Sequence, residues 1–235
     1  DPTGIKFKKY YPDHITLITD FFNSKTFKKK FGNKKAKIIT SIAMFYDLEE
    51  PLDFVREVYD ILSDDGIWVL EQSYMPLMLE VNAFDTICHE HLEYYRLKQI
   101  HWMMSKVGFK IIDIEFNQTN GGSFSITVAK SESSFSETPS LEKFLIDENS
   151  KGLDTRGPYD EFRNKVFEFK IQIREFLDKI HNKKEVNMSE FGNMFQHKGK
   201  IINVIGNKRI KTYKGYLSTS SGIKNENCPP RWSLK

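Results

Sequence analysis

The chain predicts an α/β fold, with short strands in a mostly parallel sheet and helices on its faces. Three observations carry this expectation. Apolar, β-branched runs at 37–43 and 67–70 have the length of buried strands; residues 51–62 between them repeat apolar side chains at helical spacing; and 97–107 reads as a further helix that leads into two more strand-like runs. With 235 residues, 27.6 kDa and 39% hydrophobic content, the chain is large enough for one sizeable core and part of another.

In order, Ile15-Thr-Leu-Ile-Thr-Asp-Phe21 alternates β-branched and other residues and reads as a strand. Ser24 to Phe31 reads as a short basic helix or loop whose Lys28, Lys29 and Lys30 form a solvated face. Lys37 to Ala43 reads as a buried parallel strand, Pro51 to Leu62 as an amphipathic helix stopped by Asp64-Asp65-Gly66, and Ile67 to Leu70 as the next strand, ending at Glu71. In sheets of this kind functional residues lie beyond the carboxyl ends of the strands. That rule singles out Phe45, Tyr46 and Asp47 after the first of these strands, and Glu71, Ser73 and Tyr74 after the second. Leu97 to Val107 reads as a helix with Gly108 as its stop. Residues 109–115 and 122–129 then read as an antiparallel hairpin, its turn drawn from Asn117-Gln-Thr-Asn-Gly-Gly122. Five serines in Ser131–Ser140 mark a linker, extended here to residue 157. Pro158 to His181 reads as a long amphipathic helix opening on a favoured proline, and 199–206 as a strand that starts a second α/β domain.

The densest chemistry lies in Phe84-Asp-Thr-Ile-Cys-His-Glu-His-Leu-Glu-Tyr-Tyr95. Neutral imidazole suits a general base near neutral pH. The zinc-protease pattern places its histidines four apart on one helix face. His89 and His91 are two apart, which separates them on a helix and brings them to one side only on an extended segment, so that metal pattern is not met and no metal is expected. His91 is assigned to chemistry. His89 has the plain alternative of a structural histidine bonded to a carboxylate, and Asn120, Gly121, Gly122 and Ser123 that of a structural turn.

The run Thr86-Ile-Cys-His-Glu-His-Leu-Glu-Tyr-Tyr95, the preceding Glu71-Gln-Ser-Tyr-Met-Pro76 and the later Asn120-Gly-Gly-Ser123 resemble, in this order, the S-adenosylmethionine-dependent sugar C-methyltransferases that act on nucleotide-linked keto-sugars. The resemblance runs from Asp1 to about Lys130 and continues more weakly beyond. It implies an incomplete Rossmann-like class I methyltransferase sheet ending in the antiparallel hairpin, over 1–130, with the linker at 131–157 and a truncated second α/β domain over 158–235. It implies S-adenosylmethionine as cofactor and a nucleotide-linked sugar as substrate. His91 becomes the base that deprotonates the carbon beside the ketone, with Glu90 and His89 as neighbours. Asp1 becomes the acid that holds the cofactor ribose, with Phe45 and Tyr46 lining the cofactor pocket. Glu71, Tyr74, Cys88, Tyr94, Asn120, Gly121, Gly122 and Ser123 fall to the substrate. Many members carry tyrosine where this chain has Cys88. The chain has no glycine-rich cofactor turn and begins at the position of the ribose acid, so it is expected to be a fragment lacking its N-terminal part.

A net charge of +3 makes no case for nucleic acid. The basic excess is confined to residues 196–235, which hold nine Lys or Arg and one acid, and there the chain departs from the family pattern. Two cysteines, Cys88 and Cys228, do not make a disulfide scaffold. No apolar run approaches the ~20 residues of a membrane span. These features predict a cytoplasmic enzyme with no membrane or nucleic-acid partner and an unassigned oligomeric state. Two alternatives stand beside C-methylation: O- or N-methyl transfer on the same fold, and a non-catalytic fragment with an anion-binding or nucleic-acid-binding basic tail.

Overall fold

The computed structural model describes residues 2–181, so Asp1, the expected strand at 199–206 and the basic tail lie outside the described residues. The chain divides into two compact units, Asp1–Val166 and a second beginning at Phe167. The first holds a four-stranded sheet with helices packed on it. Its elements are α1 (Ser24–Phe31), β1 (Ala36–Ile42), α2 (Pro51–Ile61), β2 (Leu62–Ser73), α3 (Met75–Glu80), α4 (Leu97–Val107), β3 (Phe109–Asn117), β4 (Ser123–Lys130) and α5 (Ser140–Ser150). The helix α6 (Gly157–His181) begins in the first unit and supplies the described part of the second.

Strands run in the order β1-β2-β4-β3. β1 and β2 are parallel, with Ile38 opposite Ile67 and Ile42 opposite Glu71. β4 is antiparallel to β2 and to β3, so the hairpin's second strand is inserted between β2 and β3. Alternation along β2 sends Trp68, Leu70 and Gln72 inward together. The sheet contributes Leu62, Trp68, Leu70, Phe109, Ile111, Ile114, Phe124, Ile126 and Val128 to the main core, met by Val55 and Val58 of α2 and Ile100 and Met104 of α4. Trp68 keeps its indole N–H satisfied by donating to Ser41 Oγ at 2.9 Å, as a buried tryptophan must. A second apolar cluster joins Met75, Met78 and Leu79 of α3 to Leu153 and Phe162.

Local chemistry explains most boundaries. Asn23 caps α1 by accepting from the Thr26 N–H at 2.7 Å. Pro51 opens α2, and Gly108 in the left-handed region (φ 104°) closes α4.

Several expectations are corrected. Residues 15–21 form no strand: alternation describes a face, whereas a strand also needs another strand to pair with, and none of the four strands of the described sheet pairs with this segment. Among the described residues β1 is an edge strand rather than a buried one, with Ile38 and Ile42 exposed. Asp64-Asp65-Gly66 does not stop α2; that helix ends at Ile61, and these residues lie inside β2, at an irregularity in its pairing with β1. The segment read as linker carries α5, whose Leu141 and Glu148 are buried.

Candidate active site

The site is built at the carboxyl ends of the two parallel strands. β1 hands over to Ala43, which turns in the left-handed region (φ 52°) and donates its N–H to the Glu71 carbonyl at the end of β2, 2.8 Å away. A 3-10 turn, Phe45–Asp47, follows. Phe45 is fully buried and packs on Trp68 and Tyr95, with ring centroids 6.0 and 5.5 Å away, so the turn is anchored to the core by its first residue. The Tyr46 carbonyl then accepts two amide N–H groups, from Leu92 at 3.0 Å and Glu93 at 3.1 Å. Those two bonds fasten the loop bearing the histidines onto the end of β1.

The loop does not run extended through its histidines. The His91 N–H donates to the Cys88 carbonyl at 3.2 Å, a turn that separates the two imidazoles. His89 and Glu90 are exposed, whereas His91 is half-buried and lays its ring 4.1 Å from that of Tyr46. Tyr94 completes the wall, its ring 6.4 Å from His91 and its hydroxyl donating to the Thr86 carbonyl at 3.4 Å. Charges crowd this corner. Burial, then Asp47 and Cys88, push the Tyr46 phenol up. Burial raises the Asp47 carboxyl, the nearby His91 draws it down, and Glu90 raises it again, with a net upward shift. Tyr94 is raised by burial above all.

Tyr46, Asp47, Cys88, Glu90, His91 and Tyr94 therefore form one cluster, with Phe45 beneath it. The other expected residues sit differently. Glu71 accepts from Asn117 Nδ2 at 3.3 Å. Tyr74 is buried between Phe116 and Phe124, and its hydroxyl donates to Glu148 Oε1 at 2.7 Å. Burial and the Glu148 carboxylate raise its phenol far above the ordinary range. Asn120 turns in the left-handed region (φ 52°), and the buried Ser123 donates its hydroxyl to the Thr119 carbonyl at 2.9 Å. Gly121 and Gly122 have φ 84° and 119°, and a side chain on either would collide with Ala83 or Leu77. The close approach they permit is thus to the protein's own chain around α3. Asp1 lies outside the described residues.

Sequence reasoning missed Glu148. This α5 carboxylate is 1% exposed and accepts from Tyr74, from the Leu97 N–H at 2.6 Å and from the Lys98 N–H at 3.1 Å. It closes the first turn of α4, just after the histidine loop. Its partners lie 50 residues and more away in sequence, so no local pattern could announce it. Also unforeseen, the Gln72 amide and the Tyr95 hydroxyl are buried with no hydrogen-bond partner among the described residues. No group of three His, Cys, Asp or Glu side chains that could hold a metal ion occurs among the described residues, and no described helix is long and apolar enough to cross a membrane.

Residues 5–114 match a family described as a methyltransferase domain, and residues 118–193 match one described as a C-methyltransferase C-terminal domain. The C-methyltransferase NovU of Streptomyces niveus is 26% identical over 142 residues, covering 60% of this chain and 34% of that protein. The chain thus spans about a third of that curated relative. Two solved structures show partial likeness. One is a putative methyltransferase in complex with the Haloferax volcanii Trm112 activator, with TM-score 0.40, 12% identity, 52% of this chain and 66% of that one. The other is the plantazolicin methyltransferase BpumL, with TM-score 0.39, 9% identity, 54% of this chain and 63% of that one. The chain thus carries, in order, a region that matches a methyltransferase-domain family and a region that matches a C-methyltransferase C-terminal domain family.

Proposed function

We propose that this chain carries the base-bearing half of an active site that methylates the carbon beside the ketone of a nucleotide-linked keto-sugar. The observation that supports it most directly is the contrast between the two histidines: His91 is half-buried, seated on Tyr46 at the carboxyl end of β1, while His89 faces solvent.

S-adenosylmethionine, when bound, supplies an electrophilic methyl group, so no other electron sink than the substrate ketone is needed. Phe45 and Tyr46, on the loop after β1, are the described residues that would form a wall for it. The fit is partial but sound: Met44, half-buried beside them, adds polarisable surface, and the turn is rigidly anchored through Phe45.

The ketone acidifies the neighbouring C–H bond. His91 would take that proton and the electron pair would pass into the carbonyl as an enolate; the methyl that bound S-adenosylmethionine would supply is transferred to the enolate carbon as the sulfur–methyl bond breaks and its electron pair returns to sulfur, leaving a neutral thioether. Tyr46 and the two amides bound to its carbonyl hold His91 in place, which is the positioning on which such a transfer depends. Cys88 and Tyr94, flanking the imidazole, are the residues of this loop best placed to meet the sugar. NovU is itself a C-methyltransferase, which favours carbon over oxygen or nitrogen as the acceptor.

The test is hydrogen exchange. The chain, alone and extended upstream, is incubated in deuterium oxide with a nucleotide-linked keto-sugar, and the α-proton is followed by NMR; labelled S-adenosylmethionine is then added. Exchange in the natural sequence that is lost in His91→Asn, followed by a new carbon-bound methyl signal, is expected. Equal exchange in His91→Asn removes His91 as the base, and an oxygen-bound methyl signal removes the carbon acceptor.

A further inference from the structure

The histidine loop, Phe84 to Tyr95, is gripped near both of its ends by two consecutive residues of the connection between α5 and α6, Leu153 and Asp154. There Gly152 turns in the left-handed region (φ 65°), and Thr155 closes the turn by donating its hydroxyl to the Gly152 carbonyl at 2.7 Å. Leu153 is buried and belongs to the apolar cluster around α3 against which Phe84 and Tyr94 pack. Its carbonyl accepts the Tyr159 hydroxyl at 2.8 Å, which ties the connection to the first turns of α6.

Asp154 holds the residues that follow the loop. Its Oδ1 accepts from the Arg96 guanidinium, with Nη2 2.7 Å away, and its Oδ2 accepts from Lys98 Nζ at 2.9 Å. The two bonds are unequal. Lys98 is half exposed, and an ion pair in water holds little. The Arg96 side chain is only 5% exposed, and its Nε has no hydrogen-bond partner among the described residues. A guanidinium taken that far out of water depends on its counter-ion, and among the described residues the acid paired with it is Asp154. In agreement, hydrogen bonds from Arg96 first and Lys98 second hold the Asp154 carboxyl below its ordinary range.

We propose that Asp154, acting through Arg96, is a positioning residue for His91. The inference rests on the reading of His91 as the base. Leu153 and Asp154 share one short turn, so the span that the loop bridges between Phe84 and Arg96 is set from a single place. Within that span the Tyr95 carbonyl accepts the Met75 N–H at 3.0 Å, and the Leu92 and Glu93 amides meet the Tyr46 carbonyl beneath the imidazole. Releasing Arg96 slackens the span and loosens those two amides, and the seat of His91 with them. Glu148 does something else: it caps the first turn of α4 through the Leu97 and Lys98 N–H groups, so the helix keeps its own fastening when Arg96 is released.

The experiment follows backbone amide exchange by NMR in the chain itself. It needs no substrate, so it can fail while the reading of His91 stands, and that reading can fail in His91→Asn while the amide result stands. In Asp154→Asn the Leu92 and Glu93 amides should exchange about tenfold faster, while those of Met103 and Met104 in α4 change by less than about twofold. Asp154→Glu should recover most of the protection. Asp154→Asn alone leaves a buried guanidinium unpaired; Arg96→Met combined with Asp154→Asn removes both charges and should show the same local loosening in a folded chain. Unchanged exchange at Leu92 and Glu93 overturns the proposal. So does exchange that rises in α4 and the loop together, the mark of a merely structural staple, and so does an equal effect from Lys98→Ala. In the chain extended upstream, Asp154→Asn should lower kcat by about tenfold with KM within about twofold, the split expected when reacting groups are misplaced; a raised KM with kcat unchanged overturns the proposal as well.

Discussion

Replacing Glu148 by alanine should cost the first unit about 3–4 kcal/mol of stability. The figure follows from what the carboxylate touches. Three donors converge on it, and two of them, the Tyr74 hydroxyl and the Leu97 N–H, belong to buried residues that have no solvent to turn to. Each buried donor left unpaired costs about 1–3 kcal/mol. The Lys98 N–H belongs to an exposed residue and is rescued by water, so it adds little. Losing a negative charge at the N-terminus of α4 adds roughly 0.5–1 kcal/mol, and relief from burying a carboxylate offsets part of the whole. Glu148→Gln keeps an acceptor oxygen and should lie between, at about 1–2 kcal/mol. The assay is urea unfolding followed by circular dichroism, with Glu142→Ala on the exposed face of the same helix as a control expected within about 0.5 kcal/mol of the natural sequence. If Glu148→Ala matched that control, the three hydrogen bonds would not be holding α5 to α4, and the reasoning would be wrong.

The Tyr74 and Tyr95 phenols are both raised by burial first, with the Glu148 carboxylate adding to Tyr74 and Glu93 to Tyr95. A raised folded-state value means stability that is complete below the unfolded value of 10.0 and is lost as pH climbs past it; urea midpoints should fall above about pH 10, with the phenolate absorbance of these two tyrosines appearing only on unfolding. Phenolate signals from every tyrosine in the folded chain at that pH would count against this. Gly122→Ala combines a φ of 119° with a collision against Leu77 and should cost more than about 2 kcal/mol, whereas Gly32→Ala, at φ 66° with open space around it, should cost about 1; equal losses would show that the contact with α3 is immaterial. His91→Asn should reduce methyl transfer by about 100-fold to 10,000-fold and His89→Asn by less than about tenfold, read by transfer of labelled methyl; the reverse order would move the base to His89.

Elements with a full period were legible. α2 and α4 repeat apolar residues over eleven positions each, and both were placed within a residue of their observed ends. α3 has only six residues, too few for a period to emerge, and α5 sits in a polar stretch where its buried acid, Glu148, looks like any surface acid. The strand expected at 15–21 fails for the opposite reason, since its alternation is clear but its partner is a property of the fold. At the site, spacing alone left open whether His89 and His91 share one side. It is the bond from the His91 N–H to the Cys88 carbonyl, together with the seat on Tyr46, that separates a solvent-facing imidazole from a held one. Tyr74 shows how far a chain position can mislead: it follows a strand's carboxyl end, yet its hydroxyl is committed to Glu148.

The strand order has a consequence for how this sheet is made. Of the described strands of this sheet, β4 is the last to be synthesised and the one that joins β3 to the rest, because β2 pairs with it along Ile67–Ser73 and β3 pairs with no other described strand. Until residues 123–130 have left the ribosome, β3 has no partner and β2 keeps an open, apolar edge bearing Trp68 and Leu70. A nascent chain stalled short of that point is a template for pairing with its neighbours. Synonymous changes that slow translation just before Ser123 should therefore raise aggregation far more than the same changes placed after Lys130.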